Sequence, residues 1–321
     1  MSTSKPFLDV AVGVIINATG EILLAQRPED KSWSGWWEFP GGKIERDESA
    51  RDALVRELKE ELDIKVTTAT PWVTFDYEYP KTKVRLAFFL VSAWEGTPKG
   101  LEQQKLAWTH PEKAHELGDL LPASLPPIKW LTLSSRYAIT PEFSPDTDID
   151  ALSTYVDRVI TNGSTLLQFR QPNWPKGPAS KELKHLFEEL LSLCRQRGVS
   201  LLINSIHPRQ WWSLADGVHL RSTDAIQLDT RPIPEDKLLA VSTHHLADIL
   251  YTQVLSADFI VLGHVNDTAS HPGEKALGWE AFEALAKEAG RPVYAIGGLK
   301  PSDLKMAREH HAHGVAGISN F

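Results

Sequence analysis

The sequence predicts an α/β protein of two domains, and two patterns support this prediction. The chain has 321 residues, which is long enough for two ordinary domains. Its first half places apolar runs around one helix-period segment at residues 50–62, whereas its second half alternates short apolar runs with amphipathic segments. Such alternation is typical of parallel strands joined by helical crossovers. We expect a first domain over residues 1–130, a linker over 131–136 and a second domain over 137–321.

Composition argues against several functional classes. The formal net charge of −8 does not indicate a nucleic-acid binder, which would usually be basic. Cys194 is the only cysteine, so an internal disulfide is impossible and we expect a reducing, cytoplasmic location. The apolar run at residues 10–16 follows Asp9 and lacks a cleavage-like site, so we interpret it as a strand. No stretch is long and apolar enough to span a bilayer, so neither nucleic acid nor membrane is an expected partner.

The first half predicts strands on both sides of one helix. Two strands joined by an Ala-Thr-Gly turn come first, and a long hairpin follows the helix. A polar loop between the second strand and the helix contains Trp33, Trp36 and Trp37, which we expect to pack, with base stacking as the alternative. The predicted ranges are Leu8–Asn17 and Glu21–Ala25 for the strands, Ala50–Leu62 for the helix, 70–79 and 82–95 for the hairpin, and Lys129–Arg136 for the connector.

The predicted helix carries three glutamates on the face opposite its apolar residues. Glu57, Glu60 and Glu61 stand three and four apart, so their carboxylates converge. Clustered carboxylates repel one another unless a cation joins them, and oxygen ligands suit Mg²⁺, with Mn²⁺ as an alternative. A solvated acidic face is the other interpretation. A preceding Gly-Gly turn and the adjacent Arg56 favour the metal site.

Residues 41–64, GGKIERDESARDALVRELKEELDI, resemble the Nudix box, the signature of hydrolases that act on nucleoside diphosphates linked to another moiety. Every defining position matches except one, where Asp63 replaces the final Gly. That Gly normally ends the helix in a left-handed conformation, which Asp can adopt at modest cost. The resemblance implies a Nudix α/β/α sandwich, a mixed sheet between helices.

The segments that flank the box, from about Leu8 to Trp130, are similar to the MutT type of Nudix hydrolase. This resemblance implies that Mg²⁺ is held by Glu57, Glu60, Glu61, Glu102 and the Gly41 carbonyl. It also implies that Arg27 contacts phosphate and that the nucleotide is bordered by Glu38, Phe39, Pro40 and Gly41. The MutT type carries an Asn that reads oxidised guanine where Ser124 stands, and a hydroxyl offers fewer hydrogen-bonding groups than an amide.

The predicted reaction is hydrolysis of a nucleoside triphosphate to a monophosphate and pyrophosphate. Metal ions neutralise phosphate charge and lower the pKa of a bound water, and a glutamate within reach accepts its proton. Glu57 and Glu102 are both candidates for this base. The MutT-like flanks favour 8-oxo-dGTP as the substrate, which would make the protein a nucleotide-pool sanitation enzyme.

Eight short apolar runs in the second half predict a TIM-like (β/α)₈ barrel. In this fold the active site lies at the carboxyl ends of the strands. Polar residues gather at the ends of the runs, and the candidate site residues there are Gln168, Arg170, Asn204, His219, Ser242, His244, His264, Gly297, Gly298 and Ser319.

These positions resemble the thiamine monophosphate synthase and TenI family, in segments such as Gln168-Phe169-Arg170 and Val241-Ser242-Thr243-His244. The resemblance implies a phosphate cradle of backbone amides near Gly297, Gly298 and Ser319. His244 matches the catalytic histidine of TenI-like thiazole tautomerases, and imidazole suits proton transfer.

The barrel sequence departs from the synthase pattern at several positions. Ser205 replaces an Asp that holds Mg²⁺ in the synthases, whereas Asp224, the other metal ligand that the resemblance implies, remains. Pro172 and His271 stand where the synthases have lysines. We therefore expect reduced or altered activity toward thiazole phosphate or another phosphorylated small molecule.

Two other functions remain open at this point. The first domain could hydrolyse thiamine-pathway diphosphates, coupled to a thiazole-phosphate tautomerase or binding barrel. Alternatively, the barrel could be a non-catalytic sensor module.

Overall fold

A computed structural model describes residues 6–268, 273, 275–319 and 321, so His271 lies outside the described residues. The chain divides into two compact units, Met1–Leu133 and Ser134–Phe321. Within the described ranges, no helix has both the length and the apolar character that a bilayer span requires.

The first unit contains two sheets and two α-helices. One sheet has the strand order β4-β1-β6-β5, in which β1 and β6 are parallel and the outer pairs are antiparallel. The second sheet has the order β3-β2-β7 and is antiparallel. The elements are β1 (Phe7–Ile15), β2 (Ile22–Gln26), β3 (Trp37–Glu38), β4 (Gly41–Lys43), α1 (Ala50–Leu62), β5 (Lys65–Glu78), β6 (Lys83–Glu95), β7 (Leu106–Thr109) and α2 (Leu125–Leu131).

Helix α1 has the predicted bounds, and local chemistry explains both ends. At its start the Ser49 side chain accepts a hydrogen bond from the Asp52 backbone N–H at 3.1 Å. At its end Asp63 has φ 57° and ψ 29°, which is the expected left-handed conformation. Between these ends Leu54 and Leu58 are fully buried against the first sheet, so the glutamates face away from the core.

Helix α2 covers the face of the first sheet that α1 leaves open, so part of the predicted connector is helical. Residues from Lys129 onward were expected to be a linker, but the helix continues to Leu131 and Trp130 is buried against Trp72. The reason is the Pro126-Pro127 pair, because proline is favoured in the first turn of a helix. Arg136 then begins the first strand of the second unit.

The second unit is a closed barrel of eight strands, which confirms the predicted (β/α)₈ fold. Neighbouring strands are parallel throughout, in the order β10-β11-β12-β13-β14-β15-β8-β9. Sequence reasoning missed α3, although its buried Leu152, Tyr155, Val156 and Val159 have helical spacing. The elements are β8 (Arg136–Ile139), α3 (Ile149–Thr161), β9 (Leu166–Phe169), α4 (Lys181–Gln196), β10 (Ser200–Asn204), α5 (Arg209–Trp212), β11 (Gly217–Leu220), α6 (Ser222–Ala225), β12 (Leu238–Thr243), α7 (Leu246–Val254), β13 (Phe259–Gly263), α8 (Gly278–Ala286), β14 (Val293–Ile296), α9 (Leu304–Glu309) and β15 (Gly314–Gly317).

Substitutions at Asp63 test the left-handed end of α1. Asp63→Gly is expected to raise the midpoint of thermal unfolding and Asp63→Ala to lower it, because a Cβ is disfavoured at positive φ and Asp tolerates it better than Ala. Each step should be about 2–4 °C. Lys59→Ala is the control, since it removes only the exposed Lys59–Asp63 ion pair. An Ala variant as stable as the Gly variant would contradict the argument.

Candidate active site

The first unit contains a cleft of about 1220 Å³ whose two ends differ in chemistry. One end is acidic and is formed by α1, β4 and the loop that precedes β7. The other end is apolar and aromatic, with contributions from β1, β6 and the β5–β6 hairpin. The lining includes Arg27, Lys31, Trp33, Glu38, Gly41, Gly42, Glu57, Glu60, Glu61, Tyr79, Leu121 and Glu102.

The two glycines of β4 allow the strand to lie directly against the acidic face of α1. The Gly41 N–H donates to Glu61 Oε2 at 3.2 Å. A Cβ on Gly42 would lie 2.1 Å from the carboxyl carbon of Glu57, and one on Gly41 would lie 2.2 Å from the Ala11 carbonyl oxygen. The contact at Gly41 is with backbone and its φ is 148°, so glycine is required there, whereas a side chain at residue 42 would force the Glu57 carboxylate to move. The glycine turn and two predicted metal-site glutamates are therefore in direct contact.

Arg56 holds the carboxylates of this face together. Its guanidinium donates to both oxygens of Glu48, at 3.0 and 2.9 Å. It also donates to Glu57 at 2.8 Å, to Glu60 at 3.3 Å and to the Lys43 carbonyl at 3.0 Å. These carboxylates raise the pKa of Arg56. One planar cation thus offsets the repulsion among three acidic side chains.

Two acidic side chains of the cleft are less well compensated. Burial raises the pKa of Glu61 to about 7, and the nearby charges of Glu102, Glu38 and Glu57 add to this effect while the Gly41 amide opposes it. Burial also raises the pKa of Glu38, although Arg27 donates to both of its oxygens at 2.5 and 2.6 Å. The repulsion is therefore local to Glu61, whose charged neighbours in the cleft include Glu102, Glu38 and Glu57.

This donor set fits a hard divalent cation. The ligands are oxygens only, which Mg²⁺ prefers, and the raised pKa of Glu61 is the expected sign of carboxylates that need a cation. Among the described residues, no three acidic, histidine or cysteine side chains form a ready-made metal shell. The reason is that Arg56 holds Glu57 and Glu60, and Lys31 holds Glu102. Binding of a cation would require these carboxylates to exchange partners.

Some predicted substrate contacts lie elsewhere. Ser124 is buried with 5% exposure and does not line the cleft, so the expectation that its side chain contacts the base is corrected. The reason is that the segment turns inward to begin α2. Phe39 packs edge-on against Phe88, with ring centroids 5.9 Å apart, and with Pro40 it borders a smaller recess beside the glutamates.

Sequence reasoning missed two residues of the cleft, Lys31 and Tyr79. Lys31 donates to Glu102 from a distance of 71 residues along the chain, a separation that carries no local signal. Burial raises the pKa of Tyr79 to about 12, and its ring lies 6.1 Å from that of Trp33. Trp33 is 38% exposed and lines the cleft, whereas Trp37 is buried, with its indole N–H donating to the Leu117 carbonyl. Trp37 is therefore a packing residue, whereas part of the Trp33 ring is exposed to the cleft.

The barrel of the second unit carries a buried polar network at the carboxyl ends of its strands. The Asn204 side-chain amide donates to the side-chain oxygen Oε1 of Gln168 at 2.7 Å. The side-chain nitrogen Nε2 of Gln168 lies 2.9 Å from His219 Nδ1. Since an amide N–H can only donate, Nδ1 accepts and His219 Nε2–H donates to Ser242 Oγ at 2.7 Å. Burial lowers the pKa of His219 to about 3, so the imidazole is neutral. The network contributes hydrogen-bonding groups and no charge.

His244 and the glycine pair lie at further strand ends of the barrel. His244 Nδ1 is 3.0 Å from the Gly263 carbonyl oxygen, which can only accept, so Nδ1 carries a proton in this contact. Gly297 has φ 110°, and a Cβ there would lie 2.4 Å from His264 Cβ. Ser319 is exposed just after β15. Catalysis by His244 and phosphate binding at the glycines stay predictions.

Comparison with known proteins assigns a family to each unit. The sequence model described as NUDIX domain matches residues 7–131, and the model described as thiamine monophosphate synthase matches residues 136–321. The chain is 44% identical to the CTP pyrophosphohydrolase of Escherichia coli over 36% of this chain and 84% of that protein. It is 38% identical to the 8-oxo-dGTP diphosphatase of Haemophilus influenzae over 37% of this chain and 88% of that protein. It is 33% identical to the thiamine-phosphate synthase of Anoxybacillus flavithermus over 51% of this chain and 76% of that protein.

The raised pKa of Glu61 predicts a pH-dependent effect of Glu61→Gln on the metal-free protein. Because this pKa is about 7 in the folded chain against 4.5 without the fold, the wild type loses stability as pH rises through that window. Gln does not titrate, so the variant should be more stable than the wild type at pH 8, by about 2 kcal/mol, and similar to it at pH 5.

Urea denaturation in EDTA at both pH values measures this difference. Glu95→Gln is the matched control, since Glu95 is an exposed strand-end carboxylate paired with Lys65 outside the cleft. A stability difference of the same size at both pH values would show that Glu61 is not destabilised when ionised.

Proposed function

Because the chain belongs to the Nudix hydrolases through its first unit and to the thiamine monophosphate synthase family through its second, we propose that the first unit is a Mg²⁺-dependent nucleoside triphosphate diphosphatase whose preferred substrate is 8-oxo-dGTP. The observation that carries this proposal is the cleft itself. Its acidic end brings Glu57, Glu60, Glu61 and Glu102 together, and its other end is apolar and aromatic. These two ends suit a polyphosphate with its cation and a nucleobase, respectively.

The residues of the acidic end have separate roles in this proposal. Glu57, Glu60, Glu61, Glu102 and the Gly41 carbonyl hold the ion, which when bound neutralises phosphate charge and lowers the pKa of water. Arg27 and Lys31 stand at the same end and orient the phosphates.

We favour Glu102 over Glu57 as the base that accepts the proton of the attacking water. Its side chain is 45% exposed and forms an ion pair with Lys31, whereas Glu57 is held by Arg56. Water can therefore reach Glu102 once Lys31 turns to the phosphates. Addition of water across the phosphoanhydride bond yields a nucleoside monophosphate and pyrophosphate.

The apolar end supplies the surface for the base. Leu8 and Val10 of β1 and Leu86 of β6 line it, and the rings of Trp33 and Tyr79 stand beside them. Such a surface accepts any base by stacking and burial, so it does not by itself select a purine. CTP is therefore the second candidate, because the relative that is 44% identical is a CTP pyrophosphohydrolase.

Initial-rate hydrolysis with Mg²⁺ tests the proposal on 8-oxo-dGTP, dGTP, CTP and thiamine diphosphate. We expect kcat/KM for 8-oxo-dGTP to exceed that for dGTP roughly a hundredfold, which is about 2.7 kcal/mol of transition-state discrimination. Glu102→Gln should lower kcat by roughly 10²–10⁴-fold, and Glu95→Gln should leave it unchanged. If activity is highest on CTP, CTP replaces 8-oxo-dGTP as the proposed substrate. Activity on thiamine diphosphate alone would place both units in one pathway. No turnover of any nucleotide by Mg²⁺-bound protein would overturn the proposal.

Trp33→Ala is expected to raise KM for the nucleotide roughly tenfold with little change in kcat. The reason is that stacking on an exposed indole contributes to binding of the base and not to the reacting phosphates. Trp94→Ala is the matched control, since Trp94 stacks on Trp108 and does not line the cleft. An unchanged KM would mean that Trp33 only packs against its neighbours.

A further inference from the structure

Three neighbouring strands of the barrel, β9, β10 and β11, end in residues that can bind an anion. Arg170 follows β9, Ser205 follows β10 and Arg221 follows β11. The strands are parallel, with Phe169 opposite Ile203 and Asn204 opposite His219, so the three residues lie at the same rim. This rim is the one at which barrels of this type bind ligands.

Asp224 at this rim is already paired with a cation of the chain itself. Arg221 donates from Nε to Asp224 Oδ2 at 2.6 Å and from Nη2 to Oδ1 at 2.8 Å, and the Ser205 hydroxyl also donates to Oδ2. Both carboxylate oxygens are therefore engaged in a bidentate pair. A hard divalent cation would find a hydroxyl at residue 205 and a neutralised carboxylate at residue 224. The residues present do not fit a magnesium site here.

Arg170 stands beside this pair without a carboxylate of its own. Within the described ranges, its guanidinium has neither a salt bridge nor a hydrogen-bond partner. Its pKa is lowered by burial and by the charge of Arg221, while Glu142 opposes this shift. The adjacent polar network is neutral because His219 is uncharged. Arg170 thus has no carboxylate in direct contact among the described residues, and it lies close enough to Arg221 for that charge to lower its pKa.

We propose that Arg170 and Arg221 form a phosphate site that works without a divalent metal, in which Arg221 takes the place of a cation beside Asp224. The ligand is the phosphate or diphosphate group of a small molecule, because two guanidinium groups match the geometry of phosphate oxygens. The site is separate from the glycine pair after β14, which is four strands away from β10 in the order of the barrel.

Isothermal titration of the full chain with inorganic pyrophosphate tests this site, in EDTA and again in excess Mg²⁺. We expect binding in EDTA, and Mg²⁺ should not strengthen the part of the binding that the barrel substitutions remove. Arg170→Gln and Arg221→Gln should each weaken it about tenfold or more, because each removes charge-assisted hydrogen bonds. Arg221→Lys should retain part of the affinity, and Asp224→Asn should strengthen binding by removing a negative charge.

Arg195→Gln is the matched control, because Arg195 pairs with Asp216 at the opposite rim, where Asp216 accepts from the Leu201 N–H at the start of β10. Thermal unfolding of each variant verifies that it is folded. No pyrophosphate binding in EDTA, or binding in EDTA that survives both arginine substitutions, would overturn the proposal. Binding that appears only with Mg²⁺, beyond the binding seen in EDTA, and that the barrel substitutions leave unchanged is assigned to the cleft of the first unit, where pyrophosphate is a product of the proposed reaction. The nucleotide hydrolysis assay is independent of every one of these results.

Discussion

The first unit depends on keeping several carboxylates close together despite their mutual repulsion. The glycine strand β4 lets Glu57 and Glu61 approach the sheet, and Arg56 ties the exposed side of the same helix to Glu48. The apolar face of α1 is fully buried, so the helix cannot rotate to relieve the repulsion. Burial, with the repulsion that remains, raises the pKa of Glu61, and a bound cation would relieve both effects.

The two units treat negative charge in opposite ways. In the first, burial and the charges of neighbouring carboxylates raise the pKa of Glu61, which favours an added metal ion. In the second, Arg221 neutralises Asp224 within three residues of sequence, and the neighbouring histidine is held neutral by burial. Both family resemblances imply a Mg²⁺ site, but the residues present fit such a site only in the first unit. The position of Arg221 and the hydroxyl at Ser205 both separate the barrel from the first unit in this respect.

The sequence predicted features that depend on neighbours along the chain. Helix α1, its left-handed end at Asp63 and most barrel strands follow from periodicity and turn residues within short windows. The inward turn at Ser124 and the burial of Trp130 were not predictable in this way, because tertiary packing decides them. The contact of Lys31 with Glu102 joins distant segments and has no local pattern at all. Helix α3, by contrast, had a readable pattern that was missed.

In the proposed reaction, the contact between Lys31 and Glu102 would couple ion binding to nucleotide binding. An ion that binds Glu102 must displace the Lys31 ammonium group. The cleft would therefore bind the ion more weakly than the same carboxylates would without this ion pair. The displaced ammonium lies in the wall of the cleft that would face a polyphosphate. A nucleotide that binds this ammonium offsets the cost of the exchange, and by linkage the ion strengthens nucleotide binding to the same degree.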